Sequence, residues 1–379
     1  MTAMAWCPSP SRALIDLSAI SDNLAQLRTR VGDRQVMLAV KAEAYGHGSV
    51  AVARHVEATG TADWLAVATV AEGQKLVDAG VGLPILKLSP AFPENLGAAV
   101  RAGLRLTVLD PSTVELTELA AARLDRTARV HVNVDTGMGR IGLPPAELDR
   151  VVEAVDRCDH LELEGIYTHL PVSDTPDGRE FTVAQIDQFL AAVERVVAHR
   201  GPVPQVHVAN SGAILGHDLG ATTMVRAGIA AYGYDPDPGA GRVRLRPAME
   251  WVSRISFVKQ VEAGTTIGYG RTWTAPRRTT IATVPVGYAD GYDRGLSNRG
   301  EVIVAGRRVP VVGRVCMDQF MVDLGPDATD GVGKEVVLMG RRGQVEVSAD
   351  DLAAWTGTIS YEVTCGLSPR VDRVWQPAP

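Results

Sequence analysis

The sequence has few of the features that mark disulfide-bonded, metal-binding or membrane proteins. Its 379 residues include four cysteines, which lie far apart and form no CxxC pair, so a zinc site, a redox pair or a disulfide scaffold is disfavoured. No stretch reaches the roughly 18 apolar residues of a membrane span, and the amino terminus has no basic region followed by a long apolar segment. We therefore expect a cytoplasmic protein with no metal site and no membrane partner.

An excess of positive charge is also missing. The chain carries 38 Lys and Arg against 44 Asp and Glu, a formal net charge of -6, so a nucleic-acid partner is disfavoured. Hydrophobic residues make up 46% of the chain and charged residues 22%, which is typical of a globular protein with a large core. Small metabolites are the ligands that this composition favours.

Strand-like apolar runs alternate with helical periodicity through roughly the first two thirds of the chain. A repeated strand–helix unit closes most naturally into an eight-stranded parallel barrel, so we predict an α/β fold with a TIM-like (β/α)8 barrel at residues 12–240. The eight runs are VMLAV (36–40), WLAVATV (64–70), PILKLS (84–89), LRLTVL (104–109), ARVHVNV (128–134), LELEGIYTHL (161–170), PQVHVAN (204–210) and MVRAGIAAYG (224–233).

The sequence pattern changes after the proline- and glycine-rich segment 235–247. Strand-like runs without long helices follow, so residues 241–379 are predicted to form a mostly antiparallel β domain. The run RALIDLSAI (12–20) is also strand-like, yet the barrel is complete without it. We expect this first strand to join the β domain.

Polar side chains follow the predicted barrel strands where those strands end. Lys41, His169 and Arg226 occupy such positions, and barrel enzymes build their active sites at that face. The segments ANSG (209–212) and RAGIAAYG (226–233) would present amides and a hydroxyl to a phosphate. A lysine that can form an imine beside a phosphate site indicates pyridoxal phosphate. His131 and His207 fall within strands, and we interpret them as packed, hydrogen-bonded residues.

Eight motifs occur in order along the chain, and they are VKAEAYGHG, VDTGMGRIG, HVANSGA, MVRAGIAAYG, IGYGRTW, VPVGYADGYDRGLSNRG, VGRVCMDQFMVDLG and ISYEVTCG. Together they resemble the motifs of the bacterial alanine racemases, a family of pyridoxal-phosphate enzymes. The resemblance covers roughly residues 12–374 and implies both a barrel and a β domain. It implies an isomerase that interconverts L-alanine and D-alanine by two-base proton transfer on a cofactor aldimine, in D-alanine biosynthesis for peptidoglycan precursors.

The resemblance assigns residues to pyridoxal 5'-phosphate. It implies that Lys41 binds the cofactor covalently and that Arg226 contacts the pyridine nitrogen. Because a guanidinium keeps its proton, the ring nitrogen would stay unprotonated and the ring would be a weak electron sink. The residues implied as phosphate ligands are Tyr45, Ser211, Gly228, Ile229 and Tyr361.

Racemisation needs a second base on the opposite face of the α-carbon. The resemblance implies that this base is Tyr269 from the β domain of another subunit, and therefore a homodimer with shared active sites. A free phenol is a weak base at neutral pH, so hydrogen bonding through His169 and Arg226 is expected to support it. The residues implied to bind the amino-acid substrate are Arg140, the backbone of Met317, and Tyr288, which with Tyr361 narrows the entrance.

One position departs from the family pattern. Many members carry a carbamylated lysine two residues before the DTGMGR aspartate, where this chain has Asn133, which cannot form a carbamate. We hypothesise that chloride supplies the missing negative charge near Asn133 and Arg140. Lys87 and the altered segment 86–93 have no assigned role.

Two other functions remain open from the sequence. The chain could racemise another small amino acid, such as serine, on the same scaffold. It could instead be a non-catalytic barrel that binds pyridoxal phosphate without turnover. Such proteins resemble the barrel alone, so the β domain with Tyr269 favours an enzyme.

Overall fold

The computed structural model describes residues 9–237 and 243–376. These residues divide into two compact units. One is Ser18–Arg246, and the other combines the segment that ends at Leu17 with the segment that begins at Pro247. The predicted domain boundary at residues 240 and 241 lies outside the described residues, as does the centre of the 235–247 segment.

Eight parallel strands close into a barrel in the first unit, so the predicted (β/α)8 barrel is confirmed. Each strand is short and almost fully buried, as expected where helices cover the outside and side chains fill the inside. The first strand of the chain, β1 (Arg12–Asp16), is not part of the barrel. The barrel strands are β2 (Gln35–Ala39), β3 (Trp64–Val67), β4 (Ile85–Lys87), β5 (Arg105–Val108), β6 (Ala128–Asn133), β7 (Leu161–Tyr167), β8 (Gln205–His207) and β9 (Met224–Ala227).

Helices follow the barrel strands in turn, and side-chain caps fix where two of them begin. Thr69 and Asp110 each accept a hydrogen bond from the backbone three residues on, in reciprocal capping boxes. The helices of this part of the chain are α1 (Leu17–Val31), the short turn α2 (Lys41–Tyr45), α3 (Ser49–Thr59), α4 (Val70–Asp78), α5 (Pro93–Arg101), α6 (Pro111–Ala122), α7 (Leu148–Asp156), α8 (Arg179–Arg200) and α9 (Ser211–Gly216).

The second unit is built on a mostly antiparallel sheet, as predicted. Its strand order is β11-β14-β17-β16-β15-β18-β10-β1-β20, with β19 beside β18 and a separate hairpin of β12 and β13. These elements are β10 (Met249–Arg254), β11 (Phe257–Val261), β12 (Thr266–Ile267), β13 (Trp273–Thr274), β14 (Thr279–Val284), β15 (Glu301–Val304), β16 (Arg307–Val312), β17 (Phe320–Gly325), β18 (Glu335–Arg342), β19 (Val345–Val347), α10 (Ala349–Thr356), α11 (Ser360–Cys365) and β20 (Asp372–Gln376).

The predicted first strand, 12–20, is too long. Only Arg12–Asp16 is extended, pairing antiparallel with β10 and parallel with β20, and α1 begins at Leu17. The buried positions of α1 recur every three or four residues, which is the helical period and not the alternation of a strand. Within the residues that the structure describes, no helix combines the length and the apolar character needed to cross a membrane.

Candidate active site

A cavity of about 280 Å³ opens where the barrel strands end at their carboxyl ends. Lys41, Arg140 and Arg226 bring three cationic groups to it, and none of the lining residues carries a carboxylate. Such a cavity favours an anionic ligand. The lining residues are Lys41, Ala68, Leu88, Ser89, Asn133, Val134, Met138, Arg140, Ile141, Tyr167, His169 and Arg226.

The lysine begins a strained turn directly behind β2. Ala42, Glu43, Ala44 and Tyr45 have φ values of 51°, 54°, 53° and 54°, so four consecutive residues with side chains adopt the left-handed helical conformation. Each such residue costs about 1–2 kcal/mol. The turn therefore needs contacts elsewhere in the fold to hold it, and it places the side chains of Lys41 and Tyr45.

The carboxylate of Glu72 supplies such a contact. Its Oε1 accepts a hydrogen bond from the Ala42 N–H at 2.7 Å. Its Oε2 accepts from the N–H groups of Ala68 at 2.8 Å and Thr69 at 3.0 Å. One side chain thus ties the left-handed turn to the start of α4. Nearby, Glu43 pairs with Lys75 Nζ at 2.6 Å.

A small group of hydroxyl and amide groups lies at the end of β9. The N–H groups of Gly228 and Ala230 donate to Ser211 Oγ at 3.1 and 3.2 Å. A Cβ atom added to Gly228 would lie 3.1 Å from Tyr45 Oη and 3.4 Å from Ser211 Oγ. The missing side chain leaves a space bordered by two hydroxyls and backbone amides, which suits a phosphate group. Ile229, which is buried, begins the short 3₁₀ helix Ile229–Tyr232 beside it.

Arg226 lies buried among acceptors. Its Nη2 donates to the carbonyl oxygens of Thr168 at 2.7 Å and Val208 at 3.0 Å, and faces His169 Nδ1 at 3.2 Å. Its Nη1 donates to the His207 carbonyl at 3.1 Å and faces His207 Nδ1 at 2.9 Å. Burial lowers the pKa of Arg226 to about 10, so the guanidinium still carries its charge at neutral pH.

His169 is held as a neutral hydrogen-bond acceptor. Burial, and then the positive charges of Arg226, Arg140 and Lys41, lower its pKa to about 3. Because the guanidinium donates to Nδ1, the ring proton lies on Nε2. His169 can therefore pass a hydrogen bond onward from Nε2 to a ligand or to another side chain.

The loop between Asn133 and Arg140 is organised by Asp135, whose Oδ1 accepts from the N–H groups of Gly137 at 2.9 Å and Gly139 at 3.1 Å. Asn133 is buried, and its Oδ1 has no hydrogen-bond partner among the described residues. Arg140 lies at the end of this loop, exposed and at the cavity.

Four predicted site residues belong to the β unit. Tyr269 is 73% exposed and projects from the tight turn between β12 and β13, where Gly268 and Gly270 have φ values of 73° and 72°. Tyr288 and Met317 lie on adjacent loops, since the Tyr288 N–H donates to the Cys316 carbonyl at 3.0 Å and the Ala289 N–H to the Met317 carbonyl at 3.0 Å.

The fourth of these residues, Tyr361, is half-buried in α11. A larger cavity in this unit, about 670 Å³, is lined by Tyr288 but by none of the other predicted site residues.

Comparison with known proteins accounts for both units. The model of the alanine racemase N-terminal domain matches residues 15–236, and that of the C-terminal domain matches residues 248–375. The chain belongs to the alanine racemase family. The predicted family, fold and enzyme class, an isomerase acting as an alanine racemase, are therefore confirmed, and the match to a C-terminal domain disfavours a barrel-only binding protein.

Relatives match this chain over nearly their whole length. The alanine racemase of Cutibacterium acnes is 61% identical, over 98% of this chain and 99% of its own. That of Symbiobacterium thermophilum is 46% identical over 97% of each chain. The solved alanine racemase of Clostridium difficile 630 superposes with a TM-score of 0.91 at 37% identity, over 98% and 97% of the chains. The Bacillus anthracis enzyme, solved with bound L-Ala-P, gives a TM-score of 0.91 at 35% identity, over 98% and 96%.

Lys87, which had no assigned role in the sequence analysis, has a defined place in the structure. The side chain is buried at the end of β4, and Nζ donates to the carbonyl oxygens of Ser89 at 2.7 Å and Pro90 at 2.9 Å. Burial lowers its pKa, while the charge of Glu72 opposes this change. Lys87 therefore closes the turn that carries Leu88 and Ser89 to the cavity.

Tyr167 is a cavity residue that sequence reasoning missed. Its ring stacks on that of His207, with 4.9 Å between the ring centroids and an angle of 8° between the ring planes. The guanidinium carbon of Arg226 lies 5.4 Å from the centroid of the Tyr167 ring. Burial raises the pKa of its phenol to about 12, and Oη donates to the Leu88 carbonyl at 2.8 Å. An aromatic residue at the carboxyl end of a barrel strand was the available signal.

Removal of the Glu72 carboxylate should loosen the left-handed turn. Glu72→Ala should raise the hydrogen-exchange rate of the amides of residues 42–46 by roughly tenfold or more, since hydrogen bonds to a carboxylate contribute about 1.5–3 kcal/mol. Thr69→Ala is the matched control, because it removes the 3.1 Å bond from the Glu72 N–H to Thr69 Oγ1 but keeps the carboxylate. Equal exchange in the two variants would show that Glu72 does not hold the turn.

Proposed function

We propose that this alanine racemase uses pyridoxal 5'-phosphate, bound covalently to Lys41. The observation that carries the proposal is the arrangement of Lys41, the Gly228 space and Arg226 at the carboxyl ends of the same barrel. A lysine, a phosphate site and a partner for a ring nitrogen are the three contacts that the cofactor requires of a protein. The residues present therefore fit it.

The phosphate is proposed to bind between Tyr45 and Ser211. Both side chains are buried and end in hydroxyls beside Gly228, where a Cβ atom would obstruct the space. The backbone at Ile229 adds to the site. Tyr361, from the β unit, is retained as a further ligand on the family resemblance alone.

Arg226 is proposed to donate a hydrogen bond to the pyridine nitrogen. Its Nη1 and Nη2 already donate to protein acceptors, which leaves the Nε–H for a ligand. Since the guanidinium retains its proton, it can orient the ring without protonating it. When bound, pyridoxal phosphate supplies an electron-withdrawing ring that acidifies the α-hydrogen of alanine.

Lys41 and Tyr269 are proposed as the two bases. Each removes the α-proton from one face or returns it to that face, so the direction of the reaction exchanges their roles. His169, neutral with its proton on Nε2, is proposed to link Arg226 to the phenol of Tyr269 by hydrogen bonding. Arg140 and the backbone of Met317 hold the substrate carboxylate, and Tyr288 with Tyr361 restricts the pocket to a small side chain.

Covalent attachment to Lys41 has a direct test. Borohydride makes the lysine–cofactor bond permanent, so reduction followed by peptide mapping should place the pyridoxyl group on Lys41. A label on Lys87, which is buried near this cavity, would overturn the assignment.

Because Tyr269 is proposed to act in the active site of another subunit, we predict a homodimer with shared active sites. Lys41→Ala and Tyr269→Ala should each be nearly inactive. If Tyr269 acts across the dimer, each hybrid has one intact site, so refolding an equal mixture should restore roughly a quarter of the wild-type sites. A refolded mixture that contains hybrid dimers but stays inactive would show that the two residues do not share a site across subunits.

We also propose that chloride lies near Asn133 and Arg140. Three cationic groups and no carboxylate border this cavity, and Asn133 cannot supply the charge of a carbamate. The apparent affinity for alanine should therefore be higher in chloride than in a bulky, inert anion at equal ionic strength. Identical kinetics in the two salts would refute this proposal.

The cellular setting is also a proposal. Family membership supports a cytoplasmic location and a role in supplying D-alanine for peptidoglycan precursors.

A further inference from the structure

A line of buried polar side chains leads from Arg226 away from the cavity. Arg226 Nη1 is 2.9 Å from His207 Nδ1, and His207 Nε2 is 3.0 Å from His131 Nδ1. His131 Nε2 is then 3.3 Å from Glu164 Oε2. Both histidines have no exposed surface, and the four residues come from the adjacent strands β6 to β9.

The direction of every hydrogen bond in this line is forced. A guanidinium can only donate, so His207 Nδ1 accepts and the ring proton of His207 lies on Nε2. His207 therefore donates to His131 Nδ1, which places the proton of His131 on Nε2, where it donates to the carboxylate of Glu164. Burial, followed by the charge of Arg226, lowers the pKa of His207, and burial also lowers that of His131, so both rings are neutral.

The neighbouring strand makes room for the ring of His131. A Cβ atom on Gly165 would lie 2.4 Å from His131 Nδ1, so only glycine fits opposite that ring. The register of β6 against β7 shifts between Val130 and His131. Tyr167 stacks on His207. The ring of Trp64 packs against that of His131, with 5.7 Å between the ring centroids and an angle of 64° between the ring planes.

Glu164 ends the line as a fixed negative charge. Its side chain is only 12% exposed and lies 3.3 Å from Arg105 Nε and 3.9 Å from Arg129 Nε. Burial alone would raise the pKa of Glu164, but the hydrogen bond from His131 and the charges of Arg105 and Arg129 lower it. The carboxylate therefore stays ionised.

We propose that Glu164 is a positioning residue that acts through His131 and His207 on Arg226. It accepts the last hydrogen bond of the line that Arg226 begins, and through the two neutral rings its charge weakens the guanidinium as a donor. The inference rests on the proposed contact between Arg226 and the pyridine nitrogen and explains how that contact is kept weak. A weak donor at the ring favours return of the proton to the α-carbon over transfer of the amino group.

The tautomers can be read directly in the wild-type protein, without substrate. In a protein with ¹⁵N-labelled histidine, the signals of the two rings are assigned by their absence from the spectra of His131→Gln and His207→Gln. In the wild-type protein both rings should be neutral with the proton on Nε2, and neither should titrate between about pH 5.5 and 9. A proton on Nδ1, or titration in that range, in either ring would overturn the line. This result does not depend on racemisation, so it is separate from the proposed function.

The effect on Arg226 is tested by Glu164→Gln with Glu162→Gln as the matched control. Glu162 lies on the same strand and also pairs with Arg129, at 3.1 Å, but is 53% exposed and outside the line. In transamination the amino group of alanine passes to the cofactor, giving one pyruvate and one pyridoxamine phosphate. Glu164→Gln should raise the ratio of this reaction to racemisation by roughly threefold or more and alter the absorption spectrum of the bound cofactor.

Glu162→Gln should leave the ratio and the spectrum at their wild-type values. If Glu164→Gln and Glu162→Gln have the same ratio of transamination to racemisation and the same spectrum, Glu164 does not act on Arg226, whatever its effect on stability. If the wild-type protein shows the predicted tautomers but borohydride reduction does not place the cofactor on Lys41, the proposed function fails instead.

A second substitution keeps the test available should Glu164→Gln not fold. Glu164→Asp retains the charge but shortens the side chain, which lengthens or breaks the contact with His131. The ratio of transamination to racemisation should therefore rise above the wild-type value. A wild-type ratio in a folded Glu164→Asp protein would refute the proposal.

Discussion

A buried guanidinium has to be surrounded by acceptors, and much of the barrel interior satisfies that requirement around Arg226. A guanidinium has five N–H groups and no lone pair to accept with. The carbonyl oxygens of Thr168, His207 and Val208 converge on it because β7 and β8 both end there. The two neighbouring histidines are then constrained to accept as well, so the protonation of the site follows from one side chain.

The strained turn behind β2 is the second constraint. Left-handed residues with side chains are costly, yet here four in succession direct Lys41 and Tyr45 from one short segment. A right-handed helix would send these side chains along a different path. Carboxylates of α4 and of the turn itself hold the conformation, so a segment distant in sequence, at Glu72, determines where the lysine lies. The position of Lys41 is thus a property of two elements and not of its own motif.

The β unit contributes side chains of a different character. Tyr269 lies on a glycine-flanked turn with most of its surface exposed, and backbone hydrogen bonds join the loop of Tyr288 to the loop of Met317. Gly287 allows this approach, since a Cβ there would lie 2.2 Å from the Met317 carbonyl oxygen. The exposed phenol of Tyr269 contrasts with the buried polar groups of the barrel.

The sequence by itself determined the eight barrel strands, the antiparallel sheet and four residues of the cavity, Lys41, Arg140, His169 and Arg226, because periodicity and motifs are local properties of the chain. It also identified the departure at Asn133. The end of β1 was misplaced because apolar residues at 17–20 fit strand and helix alike over so short a run. Only the tertiary structure decided the tautomers of His131 and His207, the turn held by Glu72 and the stacking of Tyr167. Each of these depends on side chains from different strands or helices, whose distances and hydrogen-bond directions exist only once the barrel has closed.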